Sequence, residues 1–558
     1  MYWAKQTLPM YHSNSPTAPA HAYFNFLDCM SNHTLTEENV TATALKLLHT
    51  TLPDLLDGLK YGLFTSEQLV KAYLARITEV NHIFHATVEV NPDATVIARC
   101  LDNERHQRGY RRKLHGIPIF VKDNIPTLDA MDTTCGSMAL VGARPAKEAD
   151  IVTTLRNAGA IILGKGNMAE WSGFRSTSGC SGWSARGGQT KGAYYPEMKA
   201  SGSSSGCAVA VSMGLCAAAV GTETCYSIVS PAEKAGIIGF KPTRNLLSSD
   251  GLIHASQRLD TVGLLTRTVS DAADILLELI SHSNHHDVSA KDKLIKDITC
   301  SFSKTSLSTM RIGIPWSLQG LTILSLPKRE AFRHVLIALQ RAGATLVHDV
   351  HMPGAAEFEA LTPAQKSIIL DTDMKTSINT YLSSLVTNPQ NIHNLHDLIA
   401  FTKACPEEEF PARNVEVLER AERTHPDDTL YLDMLSRDEY FAGQGGIPGA
   451  LDRRRCDVLL LPTLSVTMQT FAAKAGSPVL SLPMGVYAED TLVERDDRNG
   501  LVDVAPGIPF SAYIFGRATK DEDVLRVGDV LEKALRVRKM LRPYIEAKSE
   551  IGDIQGGG

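Results

Sequence analysis

The chain has 558 residues, of which 43% are hydrophobic and 21% charged, and its formal net charge at pH 7 is −6. This composition is typical of a globular protein with a large core, and the short, widely separated basic runs argue against a nucleic-acid partner. No stretch approaches the roughly 20 apolar residues of a membrane span and the first residues lack a signal-peptide pattern, so we predict a cytoplasmic protein with no membrane partner.

The first half of the chain alternates between helical and strand-like patterns. Residues 1–50 begin irregularly and become helix-like, with a capping pattern at 34–37 (TLTE). From 65 to 108 the apolar residues recur at helical spacing, after which residues 116–124 (GIPIFVKDN) indicate a strand. Residues 158–165 predict the end of a helix, a turn and a buried strand.

The second half is mainly helical up to about residue 440 and then returns to strands. Between 265 and 440 we predict helices interrupted by one strand at 311–315, and residues 457–462 (DVLLLP) predict another buried strand. Two further strand-like segments, PVLSLPMGV and GIPFSAYIFG, flank residues 488–503, which we interpret as a charged, exposed loop. Helices flanking a mixed sheet place the chain in the α/β class.

The segment over residues 200–232 is the most informative of the chain. It reads ASGSSSGCAVAVSMGLCAAAVGTETCYSIVSPA, which predicts a serine-rich turn, a helix of small residues and a second serine turn. Upstream, the strand over 116–124 places Lys122 at its end. A serine hydroxyl needs a nearby base near neutral pH, and a desolvated lysine can supply it. Lys122, Ser203 and Ser227 are therefore the candidate catalytic residues.

Three other patterns are better explained as ordinary structure than as binding sites. Residues 159–166 (GAIILGKG) do not match a phosphate-binding loop. Glycine stands where a serine or threonine should follow the lysine, and the residues between the glycines predict an apolar strand instead of a loop. Residues 281–287 (SHSNHHD) lack a partner at metal-ligand spacing and predict a solvated loop. We also interpret residues 407–409 (EEE) as a solvated charge run, and the ten cysteines as mostly reduced thiols.

Three segments of the chain resemble the signature of the amidase signature family. They are VKDN at 121–124, SGSSSG at 201–206 and GTETCYSI at 221–228. The resemblance extends from about residue 55 through the segment that begins at Gly507. Within the family, the sequence is similar to the fungal and plant-type amidases.

The resemblance implies an α/β fold in which a large mixed β-sheet carries helices on both faces. It implies one domain over 51–550, preceded by an irregular and helical N-terminal segment over 1–50 and followed by a flexible tail over 551–558. The chemistry of the family requires no cofactor and no metal. The implied partner is a small-molecule amide or ester substrate, and a homodimer is compatible with the sequence.

The resemblance also assigns roles to the candidate residues. Ser227 corresponds to the nucleophile, Ser203 to a proton relay held on a cis peptide, Lys122 to the base, and Ser204 to a supporting hydrogen-bond partner. The family's oxyanion hole corresponds to the backbone N–H groups of Thr224, Cys225, Tyr226 and Ser227.

Several positions depart from the pattern of the family. Cys225 and Tyr226 replace a pair of glycines before the nucleophile, Val229 stands where many members carry arginine, and Ser205 replaces a glycine. If the position of Tyr226 required a positive φ, a bulky residue would cost about 1–2 kcal/mol more than glycine. We therefore predict an unusual substrate pocket.

The function predicted from these residues is hydrolysis of a carbon–nitrogen bond in a small amide, with a role in fungal specialised metabolism. Two alternatives remain open at this point. The same acyl-enzyme could pass its acyl group to an acceptor other than water, or the chain could be a degenerate homologue that binds a ligand without turnover. A third alternative is that the chain is the ammonia-transferring amidotransferase subunit of the family, which requires partner subunits.

Overall fold

The computed structural model describes residues 45–178, 181–282, 288–302, 306–316 and 324–555, which belong to one unit over Ala42–Gly558. The helices are α1 Leu52–Lys60, α2 Ser66–Phe84, α3 Ala94–Arg108, α4 Asp150–Asn157, α5 Ser205–Ser212, α6 Val229–Lys234, α7 Val269–His282, α8 Val288–Phe302, α9 Leu326–Arg341, α10 Pro353–Glu359, α11 Pro363–Ser383, α12 Leu395–Ala404, α13 Glu416–Glu422, α14 Thr429–Ala442, α15 Ile447–Arg454, α16 Val466–Ala475, α17 Asp521–Leu535 and α18 Ile551–Gln555. Short 3-10 helices cover Met138–Leu140, Glu170–Gly173, Pro406–Glu408 and Val537–Met540.

The strands alternate with these helices along the whole chain. They are β1 Thr87–Val90, β2 Pro118–Lys122, β3 Arg144–Pro145, β4 Ile161–Gly166, β5 Trp183–Ser184, β6 Gly188–Gln189, β7 Ala218–Glu223, β8 Ile238–Lys241, β9 Thr261–Thr266, β10 Arg311–Ile314, β11 Thr345–His348, β12 Leu385–Thr387, β13 Val458–Leu461, β14 Val479–Val486, β15 Glu494–Arg495, β16 Val502–Val504 and β17 Pro509–Gly516.

Eleven of these strands form one mixed sheet in the order β1-β4-β2-β7-β9-β8-β14-β17-β13-β10-β11. Strands β4, β2 and β7 run parallel to one another, while β9, β8, β14 and β17 pair antiparallel. Every residue of β2, β4, β7, β9 and β17 is buried. Apolar strands buried along their whole length require cover on both faces, and helices supply it. The predicted α/β fold is confirmed.

The parallel strands β4, β2 and β7 direct their carboxyl ends to the same edge of the sheet. Ligands of open α/β sheets bind in the crevice outside such carboxyl ends. Lys122 is the last residue of β2, and Glu223 is the last residue of β7. The fold therefore brings together segments that lie a hundred residues apart in sequence.

The helices between 353 and 475 form additional packing layers beside the sheet. One apolar cluster joins α10, α14, α15 and α16 to β13 and β17, with Phe358, Phe441 and Phe471 in mutual ring contact. A second cluster packs α11, α12 and α13 against the chain around Trp171. No helix among the described residues is long and apolar enough to cross a membrane.

The structure differs from the sequence predictions in several elements. Strand β1 interrupts the helical stretch over 65–108, β11 follows α9, and residues 488–503, which we had interpreted as a loop, contain the paired strands β15 and β16. The residues predicted as a tail begin with the short helix α18, in which Ile551 is fully buried. The capping pattern at 34–37 lies outside the described residues.

Candidate functional site

Lys122 lies at the carboxyl end of β2 with no exposed surface. Its Nζ is 2.7 Å from Ser203 Oγ, 2.9 Å from Thr222 Oγ1 and 3.1 Å from the Thr222 carbonyl oxygen. Burial lowers the pKa of Lys122 to about 8, because the low-dielectric surroundings disfavour its charged form. At pH 7 about one tenth of the side chain is then the neutral amine, far more than at the ordinary lysine pKa of about 10.4.

The serine-rich turn passes directly over this lysine and leads into helix α5. The Gly202–Ser203 peptide bond is cis, as the resemblance implied, and Ser203 is almost completely buried. Gly206 sits in the first turn of α5, where a Cβ would lie 2.1 Å from the Ala86 carbonyl oxygen. Only glycine fits at this close approach, which holds the turn against the sheet.

Ser204 connects the two serine turns. Its backbone N–H donates to the Ser227 carbonyl oxygen at 3.0 Å, and its hydroxyl donates to the Thr222 carbonyl oxygen at 3.2 Å. These contacts bring Ser227 to the turn that holds Ser203. In the described residues the Ser203 and Ser227 hydroxyls share no hydrogen bond, although both side chains line one cavity.

Ser227 lies in a tight loop between β7 and α6, and Glu223 closes that loop. Glu223 Oε2 accepts the N–H groups of Ile228 at 2.7 Å and of Val229 at 3.0 Å. Burial raises the pKa of the Glu223 carboxyl to about 7. The Glu223 carboxyl accepts the first two N–H groups after the loop. The four loop residues, 224–227, are therefore held in a turn around this carboxyl.

The backbone N–H groups of this loop have no hydrogen-bond acceptor among the described residues. They belong to Thr224, Cys225, Tyr226 and Ser227. The last three of these residues line the cavity. Buried backbone N–H groups are nearly always paired, so such a group of donors at a cavity is suited to an anionic oxygen.

Asp260 supports the start of the same loop. Its Oδ1 accepts the Thr224 hydroxyl at 2.6 Å, and its Oδ2 accepts the Ala255 N–H at 2.8 Å and lies 3.3 Å from His254 Nδ1. Asp260, Glu223 and Thr222 are not among the candidate residues predicted from the sequence. Thr222 and Glu223 lie in the segment GTET at 221–224, and Asp260 lies in LDTVG at 259–263. These segments were the available signal, but the contacts depend on strand pairing.

The cavity beside these residues has a volume of about 380 Å³ and opens to solvent. Its wall combines serine hydroxyls with an apolar side formed by Phe174, Tyr226, Leu464 and Val466. Such a mixture of apolar wall and few convergent polar groups is typical of a small-molecule site.

The positions that depart from the family pattern are accommodated in different ways. Tyr226 does not adopt a positive φ, so its backbone carries no strain from replacing a glycine. The residue is 39% exposed and lines the cavity. Val229 is fully buried in the apolar cluster beside β13 and β17 and is absent from the cavity wall. The Ser205 hydroxyl donates to the Ser201 carbonyl oxygen at 2.7 Å.

The interpretation of residues 407–409 as a solvated charge run agrees with the exposure of Glu407 and Glu409 but is wrong for Glu408. Glu408, read as part of a solvated charge run, is completely buried and accepts hydrogen bonds from Arg175, the Ser137 hydroxyl and the Met138 N–H. Arg175 also donates to Glu170 at 2.9 Å, so one guanidinium lies between two buried carboxyls. Burial, together with nearby Glu408, raises the pKa of Glu170 well above its ordinary value.

The remaining candidates contribute little to the site. Of the histidine-rich stretch, His282 ends α7 and its Nδ1 contacts the Glu278 carbonyl oxygen, whereas 283–287 lie outside the described residues. Within the described ranges no group of three or more metal-ligating side chains occurs, and the eight described cysteines are free thiols.

Comparison with known proteins shows the family and the fold of the chain. The Amidase family model matches residues 68–525. A relative from Arthroderma benhamiae that carries the amidase name is 37% identical over 91% of this chain and 89% of its own, and one from Arabidopsis thaliana is 31% identical over 89% and 92%. The solved structure of native peptide amidase from Stenotrophomonas maltophilia is 32% identical, with a TM-score of 0.74 over 89% of this chain and 99% of that chain. The chain therefore belongs to the amidase family, and it is a hydrolase that acts on carbon–nitrogen bonds.

Proposed function

We propose that the protein hydrolyses a small-molecule amide through an acyl-enzyme on Ser227, with Ser203 and Lys122 as the proton relay. The observation that carries this proposal is the buried Lys122 amine, whose Nζ lies 2.7 Å from Ser203 Oγ beside the cavity that Ser227 also lines. A neutral amine has two hydrogens and one lone pair. The two Thr222 oxygens can accept the hydrogens, which directs the lone pair to the Ser203 hydroxyl.

In the acylation step, Ser227 Oγ forms a bond to the acyl carbon. Its proton passes to Ser203 Oγ while the Ser203 proton passes to Lys122 Nζ. As the tetrahedral intermediate collapses, the carbon–nitrogen bond breaks and the leaving amine takes a proton from Ser203, which Lys122 replenishes. Water then attacks the acyl carbon and gives a proton to the same relay. The bond between Ser227 Oγ and the acyl carbon breaks, Ser227 takes a proton back from Ser203, and the acid is released.

The unpaired N–H groups of the loop around Ser227 support a role as the oxyanion hole. We assign this role to Thr224, Cys225, Tyr226 and Ser227, whose donors would stabilise the negative oxygen of the tetrahedral intermediate. Ser204 supports the arrangement by holding the Ser227 carbonyl. A peptide amide is one substrate class to include, because native peptide amidase is a structural relative. A role in fungal specialised metabolism stays a prediction.

The assignment of Ser227 is tested by covalent labelling. We expect an alkyl fluorophosphonate to attach to Ser227 of the parent protein, and mass spectrometry of tryptic peptides locates the adduct. Ser227→Ala should lose both the adduct and ammonia release from a panel of primary amides, while its circular dichroism spectrum stays that of the parent. Ser230→Ala, which removes another hydroxyl of the cavity wall, should still be labelled on Ser227.

Either of two outcomes would contradict the proposal. Undiminished amide cleavage by folded Ser227→Ala would show that another group is the nucleophile. A parent protein that binds amides but neither reacts with the probe nor releases ammonia would favour the alternative of a homologue without turnover.

A further inference from the structure

We propose that the cavity selects amides that carry an anionic group and that Arg498 recognises this group; the inference rests on the proposed function of Ser227. Lys199 and Arg498 both line the cavity, and no aspartate or glutamate occurs among its described lining residues. A cavity whose charged side chains are all cationic favours a negatively charged ligand.

Arg498 is held at the cavity by a carboxylate that it shares with Lys199. Its Nε lies 3.1 Å from Asp496 Oδ1 and its Nη2 3.2 Å from Asp496 Oδ2, while Lys199 Nζ lies 2.5 Å from Asp496 Oδ2. Asp496 has only 8% of its side chain exposed, whereas 72% of the Arg498 side chain is exposed. Asp496 therefore fixes the guanidinium, and Nη1 of Arg498 has no acceptor in the described part of the chain.

Among the ion pairs at this wall, which do not include the exposed carboxyl of Asp497, cations outnumber carboxylates. Lys234 Nζ lies 2.9 Å from Asp503 Oδ1, and Lys199 Nζ lies 3.6 Å from the same atom. Three cations, Lys199, Lys234 and Arg498, thus share the two carboxylates of Asp496 and Asp503. The most exposed of the three is Arg498, so the uncompensated charge is available to a ligand in the cavity.

The backbone keeps this charge close to the candidate catalytic serines. Arg498 lies in the connection between β15 and β16, and this pair of strands is tied to the chain just before the serine turn. The Lys199 N–H donates to the Val502 carbonyl oxygen, and the Val502 N–H donates to the Glu197 carbonyl oxygen, both at 2.9 Å. The turn that contains Ser203 begins at Ser201, two residues after Lys199, so the backbone connects the cationic wall directly to the serine turn.

The chemistry of arginine favours a carboxylate as the recognised group. A guanidinium presents its N–H groups as a planar fork that matches the two oxygens of a carboxylate. Because Arg498 is exposed and already paired with Asp496, its contribution is moderate. We expect a preference of about three- to tenfold for an anionic over an isosteric neutral compound, decreasing with salt.

The test compares two alkyl fluorophosphonates of equal chain length, one ending in a carboxylate and the other in an isopropyl group. The measurement is the ratio of the second-order rate constants for attachment to Ser227. In the parent protein we expect the anionic probe to react faster, with a ratio that falls at about 0.5 M NaCl. Arg498→Gln should bring the ratio to about one, and Arg498→Glu should bring it below one.

Arg333→Gln is the matched control, because it removes the same charge from an exposed position of α9 that does not line the cavity. Its ratio should equal that of the parent. Equal rates of both probes in the parent, or an undiminished ratio in Arg498→Gln, overturn the inference and leave Ser227 as the nucleophile. Absence of labelling by both probes overturns the proposed function, and the inference with it.

Discussion

Among single residues, Lys122 gives the clearest prediction for how the rate of amide hydrolysis depends on pH. Its pKa is lowered to about 8 by burial, and only the neutral amine can accept a proton from Ser203. We therefore expect kcat/KM to rise with pH through about 8, because the fraction of neutral amine increases there. Lys122→Met should abolish this rising, alkaline limb of the pH–rate profile and reduce kcat/KM by about 10²- to 10⁴-fold. Initial rates measured across pH test both effects.

A second buried lysine supplies the control for that measurement. Burial also lowers the pKa of Lys165 to about 8, but its Nζ donates to the Ile125 carbonyl and the Thr133 hydroxyl. If folded Lys165→Met keeps the alkaline limb and Lys122→Met loses it, the limb belongs to Lys122. A limb that persists in Lys122→Met would remove this lysine from the mechanism.

Tyr226 is the residue that we expect to shape the substrate preference. Its ring lines the cavity together with Phe174, Leu464 and Val466, and aromatic pairs contribute about 0.5–1.5 kcal/mol beyond burial. Tyr226→Gly should therefore lower kcat/KM for aryl amides relative to alkyl amides by about two- to tenfold and widen the acceptance of simple amides. Steady-state kinetics on both classes measure the change.

The adjacent Cys225 is the control for Tyr226, since it lines the same cavity with a smaller side chain. Cys225→Ala should alter the aryl-to-alkyl ratio less. If Tyr226→Gly creates activity where the parent has none, the ring blocks the oxyanion hole instead. An identical substrate profile in parent and variant would contradict both interpretations.

At the level of elements, the loop from β7 to α6 depends on Glu223. Removing its carboxyl leaves the N–H groups of Ile228 and Val229 without an acceptor, and an unsatisfied buried donor costs about 1–3 kcal/mol. Glu223→Ala should lower kcat more than it changes KM, because the loop carries the proposed oxyanion donors. Rate measurements at saturating and limiting substrate separate the two effects.

Glu223→Gln distinguishes the hydrogen bonds of the carboxyl from its negative charge. With a pKa of about 7 the carboxyl is partly protonated near neutral pH, and the amide of glutamine keeps an oxygen that can accept both N–H groups. We expect this variant to recover most of the kcat lost in Glu223→Ala. Equal losses in the two variants would assign the effect to the negative charge and not to the loop.

At the scale of the whole molecule, Arg175 joins the helical layers beside the sheet to the chain that follows β4. It binds Glu170 and Glu408, and all three side chains are fully buried. Arg175→Met should lower the free energy of unfolding by about 3–5 kcal/mol, because two buried carboxyls lose their common cation. Urea unfolding followed by circular dichroism measures this change.

The exposed pair of Arg99 and Glu67 provides the comparison. Arg99→Met should leave the urea midpoint close to that of the parent, since solvent screens exposed ion pairs. A midpoint for Arg175→Met equal to that of Arg99→Met would show that the buried cluster does not stabilise the fold.

The sequence by itself determined the α/β class, most long helices and strands, and the segments that contain Lys122, Ser203 and Ser227. Local patterns suffice for these features, because apolar periodicity and glycine or serine turns act over a few residues. Lys122 and Ser203 are 81 positions apart in sequence, and they meet only because β2 pairs in parallel with β4 and β7.

Only the tertiary structure decided the environment of each group. The burial that lowers the pKa of Lys122, the buried state of Glu408 in a run of three glutamates, and the negative φ of Tyr226 all follow from neighbours distant in sequence. Arg498 is largely exposed, as the charged stretch predicts, but only strand pairing places it at the cavity. Desolvation and electrostatic interaction depend on what surrounds a side chain, and that is set by packing of the whole chain.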